Sequence, residues 1–69
     1  MDKPTFVRDG ECVCLVTGEC STGFRVGKVY NFEIMQYPDK LPHYKVYRND
    51  DKYVTLTERG FQVYFEEVV

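Results

Sequence analysis

The sequence has no tryptophan, a single histidine, three prolines and three cysteines. Without tryptophan there is no indole to line a proline-binding groove. A single histidine excludes metal sites built from several imidazoles and leaves His43 as the only imidazole base. Three cysteines, Cys12, Cys14 and Cys20, form no even-numbered disulfide framework, so reduced thiols are expected. Neither charge dominates: nine Lys and Arg stand against eleven Asp and Glu, a net charge of −2. That balance lacks the basic excess of a protein that coats nucleic acid. It also lacks the dense acidic surface of a nucleic-acid mimic. No apolar run approaches the ~18 residues of a membrane span, and none after Met1-Asp2-Lys3-Pro4 resembles a signal peptide. The expected compartment is the cytoplasm.

What the chain does have is rings. Six Tyr and five Phe make it 16% aromatic over 69 residues. A domain this small buries only about 60% of its unfolded surface. Its core must therefore rely on large side chains, each aromatic burying roughly 150–250 Å².

Hydrophobic alternation predicts the elements. In Val29-Tyr30-Asn31-Phe32-Glu33-Ile34, the residues Tyr30, Phe32 and Ile34 fall on one face and Asn31 and Glu33 on the other, the signature of a half-buried strand. This strand opens at Gly27 and runs to about Tyr37. Before it, residues 1–9 read as a loose arm with Phe6 and Val7 pinned to the domain. Residues 10–69 then form one domain. Glu11–Thr17 reads as the first strand, with Cys12, Cys14 and Val16 competing with Val13 and Leu15 for the core. Gly18 to Gly23 is a loop, since two Gly with Ser and Thr break regular structure. Pro38-Asp39-Lys40-Leu41-Pro42 is a turn. His43–Arg48 and Lys52–Leu56 are strands joined by a tight hairpin at Asn49-Asp50-Asp51. Thr57-Glu58-Arg59-Gly60 suits one 3₁₀ turn, and Phe61, Val63 and Phe65 alternate in a last strand. Tyr30, Phe32, Tyr44, Phe61 and Phe65 are the predicted core rings. The expected fold is all-β, a small SH3-like barrel of about five short antiparallel strands; an OB barrel needs more residues and a helix between its third and fourth strands.

Val26-Gly27-Lys28-Val29-Tyr30-Asn31-Phe32 after a Gly-bearing loop, and the ending Arg59-Gly60-Phe61-Gln62-Val63-Tyr64-Phe65-Glu66-Glu67-Val68, carry a family resemblance. Over residues 11–68 the chain resembles small SH3-like proteins of tailed phages and prophages. The resemblance implies a phage or mobile-element origin and action in the host cytoplasm. Most proteins of that kind have no assigned activity, some small phage proteins of this size act by binding and redirecting a host protein, and the resemblance brings no catalytic residues.

Four constellations bear on chemistry. Cys12, Cys14, Cys20 and His43 are four potential zinc ligands, but the C-x₂₋₄-C knuckle is missing, and buried inert thiols are the favoured reading. A Cys–His43 nucleophile lacks a residue placed to orient the imidazole. Gly23-Phe24-Arg25-Val26-Gly27-Lys28-Val29 has three residues between its glycines, Val after Lys and a strand to follow. It therefore sets a turn and is no phosphate loop. Glu66 and Glu67 point to opposite faces of a strand, and Asp50-Asp51 serves a turn. No enzyme, cofactor or metal is expected.

The remaining signal is aromatic. Tyr37, Tyr47 and Tyr64 are predicted on outer faces, near Lys28, Lys45, Arg48 and Lys52. Tyr beside cations anchors protein interfaces. The leading expectation is thus a non-enzymatic module whose protein-binding residues are Tyr37, Tyr47, Tyr64, Lys45, Arg48 and Lys52. The alternative is a nucleic-acid-binding barrel in which Lys28, Lys45, Arg48 and Lys52 meet phosphates and Tyr47 stacks a base. An unpaired first or last strand would permit a homodimer in place of a monomer.

Overall fold

The computed structural model describes residues 3–18, 23–49 and 51–68. Five strands and one helix follow in the order β1 (Thr5–Cys14), β2 (Val29–Gln36), β3 (His43–Asn49), β4 (Lys52–Thr57), α1 (Glu58–Tyr64) and β5 (Phe65–Glu67). The strands form one antiparallel sheet in the order β4-β3-β2-β1-β5. The fold is thus a small, mostly-β domain with one short helix. Strand pairing among the described residues does not close the sheet: β4 and β5 lie at its two ends, so the expected barrel is not completed by a hydrogen-bonded seam.

Alternation sets which side each residue takes. Phe32 and Ile34 of β2, Val46 of β3 and Leu56 of β4 are buried on the inner face, where they meet Cys12 and Cys14 of β1. The helix lays Phe61 on this face, and Phe65 follows it at the start of β5. Ring contacts knit the core. Phe24 meets Tyr30 edge-on at 4.7 Å and Phe65 at 5.2 Å; Phe61 lies 5.0 Å from Phe32 and 4.6 Å from Tyr44. The predicted rings Tyr30, Phe32, Phe61 and Phe65 are buried, Tyr44 packs half-buried against them, and Phe24, just after the loop, completes the set.

Turns follow local chemistry. Gly27 has φ of 87°, the left-handed value required at the third position of a turn over Arg25–Lys28, where the Lys28 N–H donates to the Arg25 carbonyl at 3.1 Å. The Arg25 N–H donates to the Tyr30 hydroxyl at 2.7 Å, which ties this turn to the core. At Pro38-Asp39, the Gln36 side-chain amide donates to the carbonyls of Tyr37 and Lys40 at 2.9 and 2.8 Å, bracing the turn. The β3–β4 hairpin pairs Asn49 with Lys52, and the Asp51 N–H donates to the Asn49 side-chain oxygen at 3.2 Å. Asp50 and the loop residues 19–22 lie outside the described residues.

Two segments depart from expectation. Thr5–Asp9 is no loose arm: it is the first half of β1, paired with β2 through Thr5 opposite Gln36 and Asp9 opposite Glu33. A register shift between Phe6 and Arg8 leaves Val7 as the bulge residue, and Phe6 and Val7 are each 51% exposed, not pinned to the core. At the other end, Glu58–Tyr64 is an α-helix in place of a 3₁₀ turn and a strand. Thr57 caps it, its hydroxyl accepting from the Gly60 N–H at 3.1 Å, and Glu58 sits favourably in the first turn. The final strand shrinks to Phe65–Glu67.

Candidate functional site: the outer face of the sheet

Residues that alternate with the core point outward and line up in cross-strand rows. One row runs Asp9, Glu33, Lys45, Thr55. The next runs Glu11, Asn31, Tyr47, Tyr53. Near the far edge, Met35 lies between Phe6 and His43. In the first row Lys45 answers Glu33, whereas Asp9 faces Glu33 with like charge, an arrangement that costs some stability.

The central residues hold one another in place. The Tyr47 hydroxyl donates to Glu33 Oε1 at 2.7 Å. That bond, with a smaller effect of burial, raises the Tyr47 phenol above its ordinary range. The Tyr47 ring lies 5.4 Å from that of Tyr53, inclined at 58°. Lys45 Nζ sits 5.1 Å from the Tyr53 ring centroid, within cation–π range. Beside them an open concavity of about 880 Å³ is lined by Asp9, Glu11, Asn31, Glu33, Tyr47 and Asn49, among others. The face therefore presents two tyrosine rings, Lys45 and three carboxylates, with Lys28 and Arg48 bordering the concavity.

The six predicted binding residues separate into groups. Lys45 and Tyr47 share this face. Arg48 is the extra residue at the register shift between Tyr47 and Asn49 and packs beneath Gly23, whose φ of 90° leaves room where a Cβ would strike the guanidinium. Arg48 borders the concavity beside Tyr47 and, with Lys52, Phe24 and Asp51, a second depression of about 310 Å³. Tyr37 lies at the far end, its ring 4.6 Å from His43. Tyr64 is a correction: it belongs to α1 and packs half-buried against the core, not on an outer strand face. Tyr53 and the carboxylates around it were not singled out from sequence. Tyr53 follows the hairpin by one residue and falls opposite Tyr47, so the hairpin register is the signal that would have found it.

The zinc set is not brought together. Cys12 and Cys14 are on the inner face, 0% and 1% exposed, whereas His43 faces outward. Cys12 pairs with Tyr30 and His43 with Met35, five residues further along β2. Cys20 lies outside the described residues. Burial first, then the nearby Cys14 and Glu67, push the Cys12 thiol up to about 12. Burial also raises Cys14, partly offset by a backbone hydrogen bond at Val16. Thiols held in the protonated form are poor nucleophiles and poor ligands. Among the described residues, no group of three or more His, Cys, Asp or Glu is placed to hold a metal ion, and no helix is long and apolar enough to cross a membrane.

Fold and face together define a small β-sheet domain with a fixed tyrosine platform. No family model matches the chain, and no curated protein or solved structure matches it either.

Proposed function

We propose that this protein is a non-enzymatic binding module that engages another protein through the outer face around Tyr47, Tyr53 and Lys45. The carrying observation is the mutual support of these side chains. Tyr47 is fixed by Glu33, and Tyr53, 49% exposed, lies against both Tyr47 and Lys45. Rigid, amphipathic rings lose little side-chain entropy on association, which is why tyrosine anchors interfaces. Support for an SH3-like scaffold comes from the order of elements: β1 to β4 meander, the seven-residue α1 follows β4, and β5 returns beside β1. On the resemblance to small phage proteins, the partner is a protein of the host cytoplasm.

The nucleic-acid alternative draws less support. Lys28 and Arg48 border the concavity beside Tyr47, but Asp9, Glu11 and Glu33 line it as well and repel phosphates, and Lys52 borders a different depression.

The test compares immobilised wild-type protein with the Tyr47→Ala/Tyr53→Ala double variant in host lysate. A Leu41→Ala variant serves as control, since Leu41 is 73% exposed on a distant turn. The reading expects a stoichiometric partner that the double variant loses and the control retains. Equal recovery on all three proteins, or no specific protein on any, refutes it.

A further inference from the structure

The concavity beside Tyr47 is polarised along its length. The pairing of β1 with β2 builds an acidic end. Asp9 stands directly opposite Glu33, and Glu11 follows Asp9 on the same side of β1, opposite Asn31. Residues two apart in a strand are separated by roughly 6.6–7 Å. All three carboxylates line the concavity, together with Asn31 and Tyr47. Lys28 and Arg48 border it as well.

The cations of this region are turned to other partners. Lys45 is the register partner of Glu33, yet its Nζ lies over the Tyr53 ring, 5.1 Å from the centroid. Lys28 Nζ lies 5.6 Å from the centroid of Tyr30, a ring of the core. The Arg48 guanidinium packs beneath Gly23. Among the described residues the only ion pair joins Arg8 to Glu67. Asp9, Glu11 and Glu33 therefore stand together with no cation in ion-pair contact. Like charges placed across strands destabilise the free protein, and a cation supplied from outside relieves them. Tyr47 adds a ring to the same place. It lines the concavity while Tyr53 does not, so it turns one side to Tyr53 and another to the concavity. Its hydroxyl bond to Glu33 holds that ring in position.

We infer, on the platform reading above, that the partner protein presents an arginine whose guanidinium enters this concavity, stacks on Tyr47 and pairs with Asp9 and Glu11. A guanidinium is planar: one face lies on a phenol ring while its N–H fork meets carboxylates. An ammonium offers a point charge and no plane, so the combination of ring and carboxylates selects arginine over lysine. Glu33 already accepts from Tyr47 and acts as a positioning residue for the ring.

The probe is the acetylated and amidated tripeptide Gly-Arg-Gly, titrated into the ¹⁵N-labelled full chain at constant ionic strength. Gly-Lys-Gly and Gly-citrulline-Gly tripeptides serve as comparisons. The expected result is a saturable set of shifts at Asp9–Glu11, the Asn31 side-chain amide and Tyr47. The lysine tripeptide should bind about threefold more weakly, and the uncharged citrulline tripeptide should leave these amides unmoved. Asp9→Asn/Glu11→Gln should weaken the arginine tripeptide about fivefold, in line with two exposed charge pairs. Tyr47→Leu should weaken it about threefold, and Leu41→Ala should leave it unchanged. Three results overturn the inference: no saturable shift at tens of millimolar tripeptide, equal binding of the lysine or citrulline tripeptide, or shifts centred on Phe24 and Lys52 instead. Capture from host lysate separates this inference from the platform itself. Loss of the partner by both Asp9→Asn/Glu11→Gln and the tyrosine double variant supports the arginine. Retention by the carboxylate variant alone overturns the arginine and leaves the platform standing; retention by both variants overturns the two together.

Discussion

Cys12 shows how far a single position can be removed from its intrinsic chemistry. A free thiol titrates near 8.5, yet burial pushes Cys12 up to about 12. The folded state thus favours the protonated thiol. Its contribution to stability is complete below the ordinary thiol range and is lost as pH rises toward about 12. The phenols of Tyr44 and Tyr47 are raised as well and act with the same sign. Urea midpoints should therefore decline above about pH 9. Peptide-resolved alkylation at pH 8 should label Cys12 far more slowly in native protein than in urea; equal rates would show that the thiol is accessible. Glu67 behaves oppositely. Its bonds to Arg8 hold it below the usual carboxylate range, so its contribution is present above that range and lost as acid protonates it. The pair is part-exposed, and the effect is correspondingly small. Phe32 is, with Phe65, one of the two rings that are almost completely buried. It is fully buried, touches the rings of Phe61 and Tyr44, and leaves only 3.2 Å between its edge and the position of a Cβ at Gly10. Phe32→Ala should cost about 3–5 kcal/mol in urea unfolding.

At the scale of elements, β2, β3 and β4 could be read from the chain because their alternation and their turns agree. Tyr30, Phe32 and Ile34 point inward, and Gly27, Pro38 and the Asn49 hairpin bound the strands. The helix could not be read so directly. Gly60 and Val63 are weak helix formers, and Phe61, Val63 and Phe65 happen to alternate, so the segment imitates a strand. Thr57 followed by Glu58 was the local signal for a helix start. Val63, 55% exposed, shows that the alternation was not a core face. What decides the matter is that a helical turn carries both Phe61 and the following Phe65 onto the ring cluster. Seven residues cannot sustain a helix alone, so the cap matters. Thr57→Ala should destabilise the protein by about 1 kcal/mol, and Thr57→Ser should restore most of it. An unchanged melting midpoint in Thr57→Ala would mean that the hydroxyl bond to Gly60 contributes nothing.

For the whole molecule, the order β4-β3-β2-β1-β5 predicts a gradient of local stability. β2 is flanked by β1 and β3 and supplies Phe32 and Ile34 to the core, whereas among the described residues Thr5–Gly10 has a strand neighbour on one side only. Native-state hydrogen exchange should be slowest in β2 and β3 and fastest at Val7 and Asp9. Uniform protection along β1 would show that its outer edge is already paired. The same order explains why only part of the candidate site was legible. Lys45 and Tyr47 were placed together because they belong to one strand. Arg48 was expected beside them, but the register shift after Tyr47 sends it under Gly23. Tyr53, Asp9 and Glu11 reach the platform only through register with other strands.

By itself the sequence determined a small ring-filled β domain, the inward faces of its three middle strands and the location of most turns, because these depend on residues adjacent in the chain. The tertiary structure alone decided that Thr5–Asp9 is strand, that Glu58–Tyr64 is helix, and that Tyr47, Tyr53, Lys45 and Glu33 meet. Each of these rests on a partner distant in sequence, and no local propensity is strong enough to announce it.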